Sequence, residues 1–322
     1  MKKIVQWLLY SVFLIVTVII LLELSYRYQV IDFYNRSFLY LNKNEDTKNA
    51  EPDVLIIGDS FSAQPNGYID QLREAYPDLK IINSAVPGTG VRQHQLILEK
   101  RLRRYTPKKV LYQVYVGNDL TDVTHPINFK SNGILRNVYW AMSDRLLVVP
   151  FINARLGRFK SPDPVDHTLH SQEFGVAKYT ARCKFYLRAD HQIINNSVQV
   201  KGDMKVVYDE WIERFQKFKE TLPQSTELAV LIIPHCSQVN STYQRRFEML
   251  GAKFEEDFQK DNYPFIVNFK NALPAVAVIN PMKELREVDE PYFVNDPHLS
   301  PIGQRKLYSA VTMSEFFGST KE

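Results

Sequence analysis

The stretch Val54-Leu55-Ile56-Ile57-Gly58-Asp59-Ser60 decides how the rest of this sequence is interpreted. Its four apolar residues stop abruptly at a glycine, which is typical of a short buried strand followed by a sharp turn. A serine directly after the first strand of an open α/β sheet lies at the edge where such sheets bind ligands. Ser60 is therefore a candidate nucleophile, although Gly-Asp-Ser also suits an ordinary turn.

Further apolar runs with the length of strands recur along the chain. They are residues 80–83, 109–116, 228–233 and 276–279. Amphipathic patterns that predict helices lie between and around them, at residues 67–76, 91–105, 206–222 and 243–258. Ser300 and Pro301 form the beginning of a last helix, as N-cap and first-turn proline. Short strands that alternate with helices predict βαβ units and a parallel sheet.

The alternation stops between about residues 120 and 204, which we interpret as an insertion. Residues 174–200 within it contain pieces that resemble strands. Long segments at the carboxyl ends of strands often form lids or substrate walls. A structural cover over the sheet edge fits the sequence equally well, and the pattern does not separate the two.

The amino terminus has the composition of a membrane segment. Residues 4–22 carry no charge, and nineteen helical residues span about 28 Å, close to the thickness of a bilayer core. Lys2 and Lys3 precede the segment, and Trp7 and Tyr26 lie near its ends, which favours a cytoplasmic amino terminus and an external remainder. A cleaved signal peptide is the alternative, but no small-x-small site follows the segment. We predict an anchor at 1–25, a polar stalk at 26–52 and one domain at 53–322.

The overall composition bounds the class of function. The chain has 322 residues and a formal net charge of +4, which suits one large domain with an insertion. A basic stretch at residues 100–109 is typical of a solvated helix end or a surface that faces anionic lipid. No basic motif with interleaved aromatic residues occurs, so we do not expect nucleic-acid binding. Cys183 and Cys236 are compatible with one disulfide or with two unpaired thiols.

Polar residues and glycines follow several of the predicted strands. Gly88 comes after the second strand, Asn118 after the third, and Asp296 and His298 after the fifth. Because the carboxyl ends of parallel strands share one edge, these residues converge on Ser60. A hydroxyl, an imidazole, a carboxylate and oxyanion donors are the groups that acyl transfer requires. Histidines elsewhere, such as His94 and His125, are interpreted as surface or packed, while His235 after the fourth strand is a candidate substrate contact.

Four blocks of this sequence resemble the SGNH or GDSL hydrolases. The blocks are Gly58-Asp59-Ser60, the glycine of Asn83-Ser84-Ala85-Val86-Pro87-Gly88, Gly117-Asn118-Asp119, and Asp296-Pro297-His298. Many members place an aspartate three residues before the histidine, where this chain has Asn295. The closer spacing of Asp296 is similar to that in membrane-anchored and exported members that handle acetyl groups on polysaccharides. The resemblance covers residues 53–317 apart from the insertion.

The resemblance implies a three-layer α/β/α sandwich with a five-stranded parallel sheet in the order 2-1-3-4-5. It implies Ser60 as nucleophile, His298 as base, Asp296 as the residue that orients the imidazole, and an oxyanion hole of Ser60, Gly88 and Asn118. It implies no metal and no organic cofactor. The expected activity is hydrolysis of acyl esters, with acetyl as the expected acyl group, on carbohydrate or a related small ester.

Two other functions are compatible with the same residues. An O-acetyltransferase would pass the acyl group to a cell-surface or secreted polysaccharide, with a membrane acyl-donor protein as partner. A non-catalytic glycan-binding or assembly protein on this fold is the second alternative. The complete set of Ser60, Gly88, Asn118 and His298 favours an enzyme over a binding protein.

Overall fold

The computed structural model describes residues 2–28, 30, 51–124, 142, 146, 148, 173–255 and 258–318. The chain divides into two compact units, residues 1–38 with 126–161 and residues 39–125 with 162–322. The predicted stalk at 26–52 and the first half of the predicted insertion lie largely outside the described residues, as do His125, His167 and His170.

The described part of the first unit is mainly one long helix, α1 (Lys2–Arg27). Its segment Lys2–Ser25 has a mean hydropathy of 2.5 and is long and apolar enough to cross a membrane. A signal sequence near an amino terminus has the same properties. Close to the end of α1, the carboxylate of Glu23 is buried and accepts a hydrogen bond from the Val148 backbone N–H.

The second unit contains a parallel sheet of five strands. The strands are β1 (Val54–Ile57), β2 (Ile81–Asn83), β3 (Lys109–Tyr115), β4 (Glu227–Ile233) and β5 (Ala277–Ile279). Their order across the sheet is β2-β1-β3-β4-β5, and every neighbouring pair is parallel. The predicted strand order is therefore confirmed. Each predicted strand agrees with an observed one to within one residue at either end.

Helices cover both faces of this sheet. They are α2 (Tyr68–Ala75), α3 (Val91–Leu102), α4 (Asp119–Thr124), α5 (Ala181–Ala189), α6 (Ile193–Gln199), α7 (Asp203–Thr221), α8 (Cys236–Val239), α9 (Ser241–Met249), α10 (Pro264–Ala272), α11 (Met282–Arg286), α12 (Pro301–Thr312) and α13 (Glu315–Gly318). One group contains α3, α4, α6, α7 and α10, and another contains α2, α11, α12 and α13. The central strands β1 and β3 are buried almost throughout, as expected for a sheet that is covered on both faces. The predicted three-layer α/β/α sandwich is confirmed.

Aromatic side chains on α7 form much of the core on one face of the sheet. Phe215 and Phe218 pack edge-on against Tyr112 of β3, with ring centroids 5.0 and 4.8 Å apart. Trp211 packs against Phe265 of α10 on the other side. Each fully buried side chain of this size contributes about 1.5–3 kcal/mol relative to an exposed one. This packing fixes β3, whose carboxyl end carries part of the site described below.

Two predictions about secondary structure are wrong. The pieces of 174–200 that resemble strands form the helices α5 and α6, and six of the seven residues of α6, among them Asn195 and Ser197, are buried. Without a polar face the period of a helix does not show in the sequence. The helix predicted at 243–258 ends at Met249, because Gly251 adopts a φ of +102°, which stops helical hydrogen bonding. Helix α10, which begins at Pro264, was not predicted.

Candidate active site

Ser60 lies in the turn that follows β1, and its neighbour Asp59 fixes this turn. The Asp59 backbone N–H donates to Gln113 Oε1 of β3 at 3.0 Å, and Asp59 Oδ1 accepts from the Phe61 N–H at 3.0 Å. Asp59 is fully buried, so its role is structural, as a turn aspartate. The backbone N–H of Ser60 donates to no group among the described residues, which leaves it available to a ligand.

The side chains of Ser60 and His298 meet, although 238 positions separate them in the sequence. Ser60 Oγ lies 2.7 Å from His298 Nε2. The imidazole stacks on the Phe61 ring, with centroids 4.9 Å apart, so the residue after the serine also supports the histidine. Ser300 then caps α12 by accepting the Gly303 N–H, which fixes the chain just after His298.

Asp296 makes the contact on the other side of the imidazole. Its Oδ1 lies 2.5 Å from His298 Nδ1 and accepts the His298 backbone N–H at 2.8 Å. A carboxylate beside Nδ1 holds the ring proton on that nitrogen, so that Nε2 accepts the Ser60 hydroxyl proton. Both Asp296 and His298 are largely buried, with side chains 12% and 16% exposed. The arrangement is that of a serine–histidine–aspartate triad.

Asn295, at the position where many SGNH members have aspartate, forms hydrogen bonds to the main chain of a neighbouring segment. Its Oδ1 accepts the Gly175 backbone N–H, and its Nδ2 donates to the Glu173 carbonyl oxygen. Its own carbonyl oxygen accepts the Thr180 N–H. Asn295 thus fastens residues 173–180, which lead into α5, to the loop that carries His298.

Asn118 lies at the pocket beside Ser60, in the turn between β3 and α4. Its Nδ2 donates to Asp59 Oδ2 and to Asp122 Oδ2, each at 3.2 Å. These bonds are long, and the Asn118 Oδ1 is buried without a hydrogen-bond partner among the described residues. The carboxamide is therefore at the site, with both amide hydrogens directed at carboxylates rather than into the pocket.

Gly88, another of the predicted oxyanion donors, lies in a turn after β2. It is exposed and does not belong to the residues that line the pocket beside Ser60. The strand extension before it adjoins the nucleophile turn, because the Val86 N–H donates to the Gly58 carbonyl oxygen at 3.0 Å. Its backbone N–H donates to no group among the described residues, so it is free to approach a ligand.

The triad opens into a pocket of about 80 Å³. Helices α5 and α6, from the second half of the predicted insertion, form part of its wall. The apolar lining includes Phe61, Leu187, Ile193, Ile194 and Phe247. Helices α5 and α6 are thus one wall of this pocket. None of the lining residues is lysine or arginine, and within the described ranges no group of three or more His, Cys, Asp or Glu side chains could hold a metal ion.

Tyr115 and His235 supply polar groups to this pocket, and sequence reasoning singled out only the histidine. Tyr115 is the last residue of β3, and its ring lies 4.2 Å from the Phe61 ring and 5.9 Å from the His235 ring. His235 caps α8 by accepting the Ser237 N–H at Nδ1. Tyr115 ends β3 and His235 lies just past the end of β4, and this position is the signal that could have identified Tyr115.

His94 is buried away from the pocket, as predicted for a packed histidine. Its Nε2 lies 3.0 Å from Thr89 Oγ1, and its Nδ1 lies 2.8 Å from Tyr112 Oη. Because the Thr89 hydroxyl donates to the Val86 carbonyl oxygen, it accepts from Nε2–H, and Nδ1 accepts the Tyr112 hydroxyl. Burial lowers the pKa of His94 to about 3, so the ring is neutral and ties the turn of Gly88 to β3.

The strand order agrees with the one that the four sequence blocks imply. Similar solved structures include a protein from Streptococcus pneumonia whose description names platelet activating factor, with 14% identity, coverage of 86% of this chain and 88% of the other, and a TM-score of 0.43.

A GDSL-like lipase from Bacteroides thetaiotaomicron is 9% identical, over 87% of this chain and 97% of the other, with a TM-score of 0.40. The next neighbour has a TM-score of 0.39. That neighbour is a catalytic mutant of an acetylxylan esterase from Geobacillus stearothermophilus, 12% identical over 83% and 97% of the two chains. No family model and no curated protein matches the chain. At such identities the likeness concerns the fold, and the activities named are those of the neighbours.

Proposed function

We propose that this protein is a serine ester hydrolase of the SGNH type. The observation that carries the proposal is the continuous line of contacts from Ser60 Oγ to His298 Nε2 and from His298 Nδ1 to Asp296 Oδ1, at 2.7 and 2.5 Å. This line ends in a pocket that is large enough for an acyl group. A nucleophile, a base and an orienting group in contact are the requirements for acyl-enzyme chemistry.

The reaction begins when Ser60 Oγ attacks the ester carbonyl carbon and His298 Nε2 takes the hydroxyl proton. The carbonyl π electrons move to oxygen, which becomes an oxyanion. The carbonyl bond then reforms, the ester C–O bond breaks, and His298 gives its proton to the departing alcohol. Water repeats the sequence on the acyl-enzyme and releases the acid. Throughout, Asp296 offsets the positive charge on the imidazolium.

The oxyanion requires donors that point at it before the reaction begins. We assign this role to the Ser60 backbone N–H, which has no partner among the described residues, and to the Gly88 N–H and the Asn118 Nδ2. Asn118 must release one of its two carboxylate partners to reach the oxyanion. Its bonds to Asp59 and Asp122 are 3.2 Å long, so the exchange is a small one.

The substrate in this proposal is an acyl ester of carbohydrate or a related small ester. The D-x-H spacing of Asp296 and His298 supports this class through the resemblance described above, with acetyl as the simplest acyl group. The helix α1 supports attachment to a membrane, with the amino terminus in the cytoplasm and the catalytic domain outside. The substrate would then be an external ester.

Transfer of the acyl group to a sugar hydroxyl is the second candidate function. It uses the same acyl-enzyme, with an alcohol in place of water. The apolar wall formed by Leu187, Ile194 and Phe247 favours it, because exclusion of water from the acyl-enzyme slows hydrolysis. A membrane acyl-donor protein would then be the natural partner of α1.

Fluorophosphonate labelling of the full-length protein in detergent tests the proposal. The reagent should modify Ser60, and Ser60→Ala should abolish the label. Ser62→Ala is the matched control, because Ser62 is equally near in sequence but is buried and paired with the Tyr68 hydroxyl. Labelling that persists in Ser60→Ala, or that never occurs in the wild type, would refute the proposal. An ester assay with and without a glycan acceptor separates hydrolysis from transfer.

A further inference from the structure

The pocket beside Ser60 contains a tyrosine hydroxyl with no protein partner. Tyr115 is only 3% exposed, yet its Oη has no hydrogen-bond partner among the residues that the structure describes. The hydroxyl lies against the turn that leads to Asn118, since a Cβ added to Gly117 would be 2.7 Å from it. A buried hydroxyl without a partner is unfavourable, so an unpaired one at a binding pocket points to a ligand that pairs with it.

His235 offers a second donor in the same pocket wall. Its Nδ1 accepts the Ser237 N–H, so in the neutral ring the proton is on Nε2. No group among the described residues pairs with this Nε2. Burial lowers the pKa of His235 to about 3, which keeps the ring neutral. The Nε2–H is therefore a neutral donor.

Much of the rest of the pocket wall is apolar, although Asn118, Thr121, Cys183 and Tyr186 also line it. Leu187, Ile193, Ile194 and Phe247 line it with hydrocarbon. An apolar pocket with a few polar groups fixes the orientation of a mostly apolar ligand through those groups. The Tyr115 hydroxyl and the His235 Nε2–H can both donate to an acceptor on the ligand, because burial also raises the pKa of Tyr115 well above its ordinary value and keeps its hydroxyl protonated.

The volume of the pocket exceeds that of a minimal acyl group. One water needs roughly 10–15 Å³, and the pocket offers about 80 Å³. An acetyl group occupies only part of such a space, and packing energy is lost wherever a pocket is left unfilled. The structure therefore favours an acyl chain with additional atoms beyond the carbonyl carbon and its methyl group.

We propose that the pocket selects a short acyl group that carries a neutral hydrogen-bond acceptor, such as a hydroxyl or ketone oxygen, paired with Tyr115 Oη and His235 Nε2. This inference rests on the proposed function and specifies its acyl substrate. A carboxylate at the same place fits poorly, because no lysine or arginine lines the pocket and His235 is neutral. Dicarboxylic half-esters should therefore be poor substrates.

Pairs of chromogenic esters of equal shape test the proposal on the full-length protein in detergent. One pair is 3-hydroxybutanoate and 3-methylbutanoate, and the other is 4-oxopentanoate and 4-methylpentanoate. In at least one pair, kcat/KM should be about tenfold or more higher for the oxygenated ester, because only that ester satisfies the buried donors. Tyr115→Phe should bring that ratio close to one by lowering turnover of the oxygenated ester.

Tyr263→Phe provides the matched control. Tyr263 is also fully buried with a hydroxyl that lacks a partner among the described residues, but it caps α10 and does not line the pocket. In Tyr263→Phe, the ratio of kcat/KM between the oxygenated and the apolar ester should equal that of the wild type. His235→Asn retains an oxygen that can accept the Ser237 N–H but lacks the Nε2 donor. As in Tyr115→Phe, the ratio of kcat/KM between the oxygenated and the apolar ester should therefore fall.

The outcomes separate this inference from the proposed function. If the wild type is labelled by fluorophosphonate and yet hydrolyses both members of each pair equally, the acceptor-selective pocket is refuted while the serine hydrolase stands. A preference that survives in Tyr115→Phe refutes the role of Tyr115. If Ser60 is not labelled at all, the proposed function fails, and the inference fails with it.

Discussion

Two hydrogen bonds join Asp296 to His298, because the Asp296 Oδ1 accepts both the backbone N–H and the imidazole Nδ1–H of the histidine. The spacing of two residues makes this possible, since the carboxylate folds over the intervening Pro297. The backbone bond fixes the carboxylate, and the carboxylate fixes the ring. The histidine thus has little freedom to rotate away from Ser60.

Asp296→Asn should lower kcat by about 10³- to 10⁴-fold with a smaller change in KM, because the amide no longer holds the Nδ1 proton or balances the imidazolium. Asn295→Ala is the neighbouring control and should lower kcat far less, since Asn295 contacts only backbone atoms. Steady-state kinetics on a soluble ester measure both, and thermal unfolding checks the fold. A greater loss in Asn295→Ala would reverse the assignment.

Asn118→Ala should lower kcat by about 10²- to 10³-fold, the usual cost of one oxyanion donor, with KM nearly unchanged. Asp59 should lose a hydrogen bond as well, so the free energy of unfolding should fall by about 1 kcal/mol. Kinetics and denaturant unfolding of the same variant separate the two effects. A loss of stability with kcat within threefold of the wild type would make Asn118 a structural bridge only.

The two cysteines should differ in reactivity. The two form no disulfide with each other, and Cys183 lies partly exposed at the pocket, whereas Cys236 is fully buried. Burial raises the pKa of the Cys236 thiol well above its ordinary value, which leaves little thiolate. A bulky maleimide should modify Cys183 in the native protein and lower esterase activity, and Cys183→Ser should protect against it.

Mass spectrometry after labelling in the native and the denatured state counts the thiols. We expect modification of Cys183 alone before unfolding and of both cysteines after it. A protein that shows no free thiol after denaturation would instead contain a disulfide between the two.

Buried neutral histidines should make stability fall in mild acid. Above about pH 6.5, His94 is neutral in both the folded and the unfolded state and contributes no pH dependence. Between about pH 6.5 and pH 3, the unfolded state binds a proton that the folded state does not, because burial lowers the folded pKa to about 3. The free energy of unfolding should therefore fall with decreasing pH, by up to about 1.4 kcal/mol per pH unit from this residue. His235 adds a change of the same sign.

His94→Gln should flatten this dependence, as measured by urea unfolding at several pH values between 7 and 4. Tyr112→Phe is the control, because it removes the hydroxyl that His94 accepts but keeps the imidazole buried. Its stability should be lower at every pH with the slope of the wild type. An unchanged slope in His94→Gln would show that other groups control acid stability.

Much of the architecture could be predicted from the sequence because its strands are short apolar runs with clear ends. Val54–Ile57 is flanked by residues that break strands, and the parallel order follows once helices separate the runs. The contact between Ser60 and His298 could be predicted for a related reason, since the ends of parallel strands meet. The helix α6 could not, because its buried residues lie on more than one side.

The details of the pocket were also out of reach of the sequence. Tyr115 is one of several tyrosines in apolar surroundings, and nothing in its neighbours indicates that its hydroxyl is unpaired. That property depends on the ring packing of Phe61 and His235, which are distant in sequence. Likewise, only the structure shows that Asn118 is bound to two carboxylates.

The hydrogen bonds of Asn295 determine how substitutions in the pocket wall affect the loop that carries His298. The carboxamide bonds main-chain atoms of Glu173 and Gly175, and the Asn295 carbonyl oxygen accepts the Thr180 N–H, so these bonds join the loop that carries His298 to the segment leading into α5. Substitution of side chains along that segment and the helix after it therefore leaves these main-chain hydrogen bonds intact. We therefore expect substitutions of those side chains to alter the wall of the pocket without displacing His298.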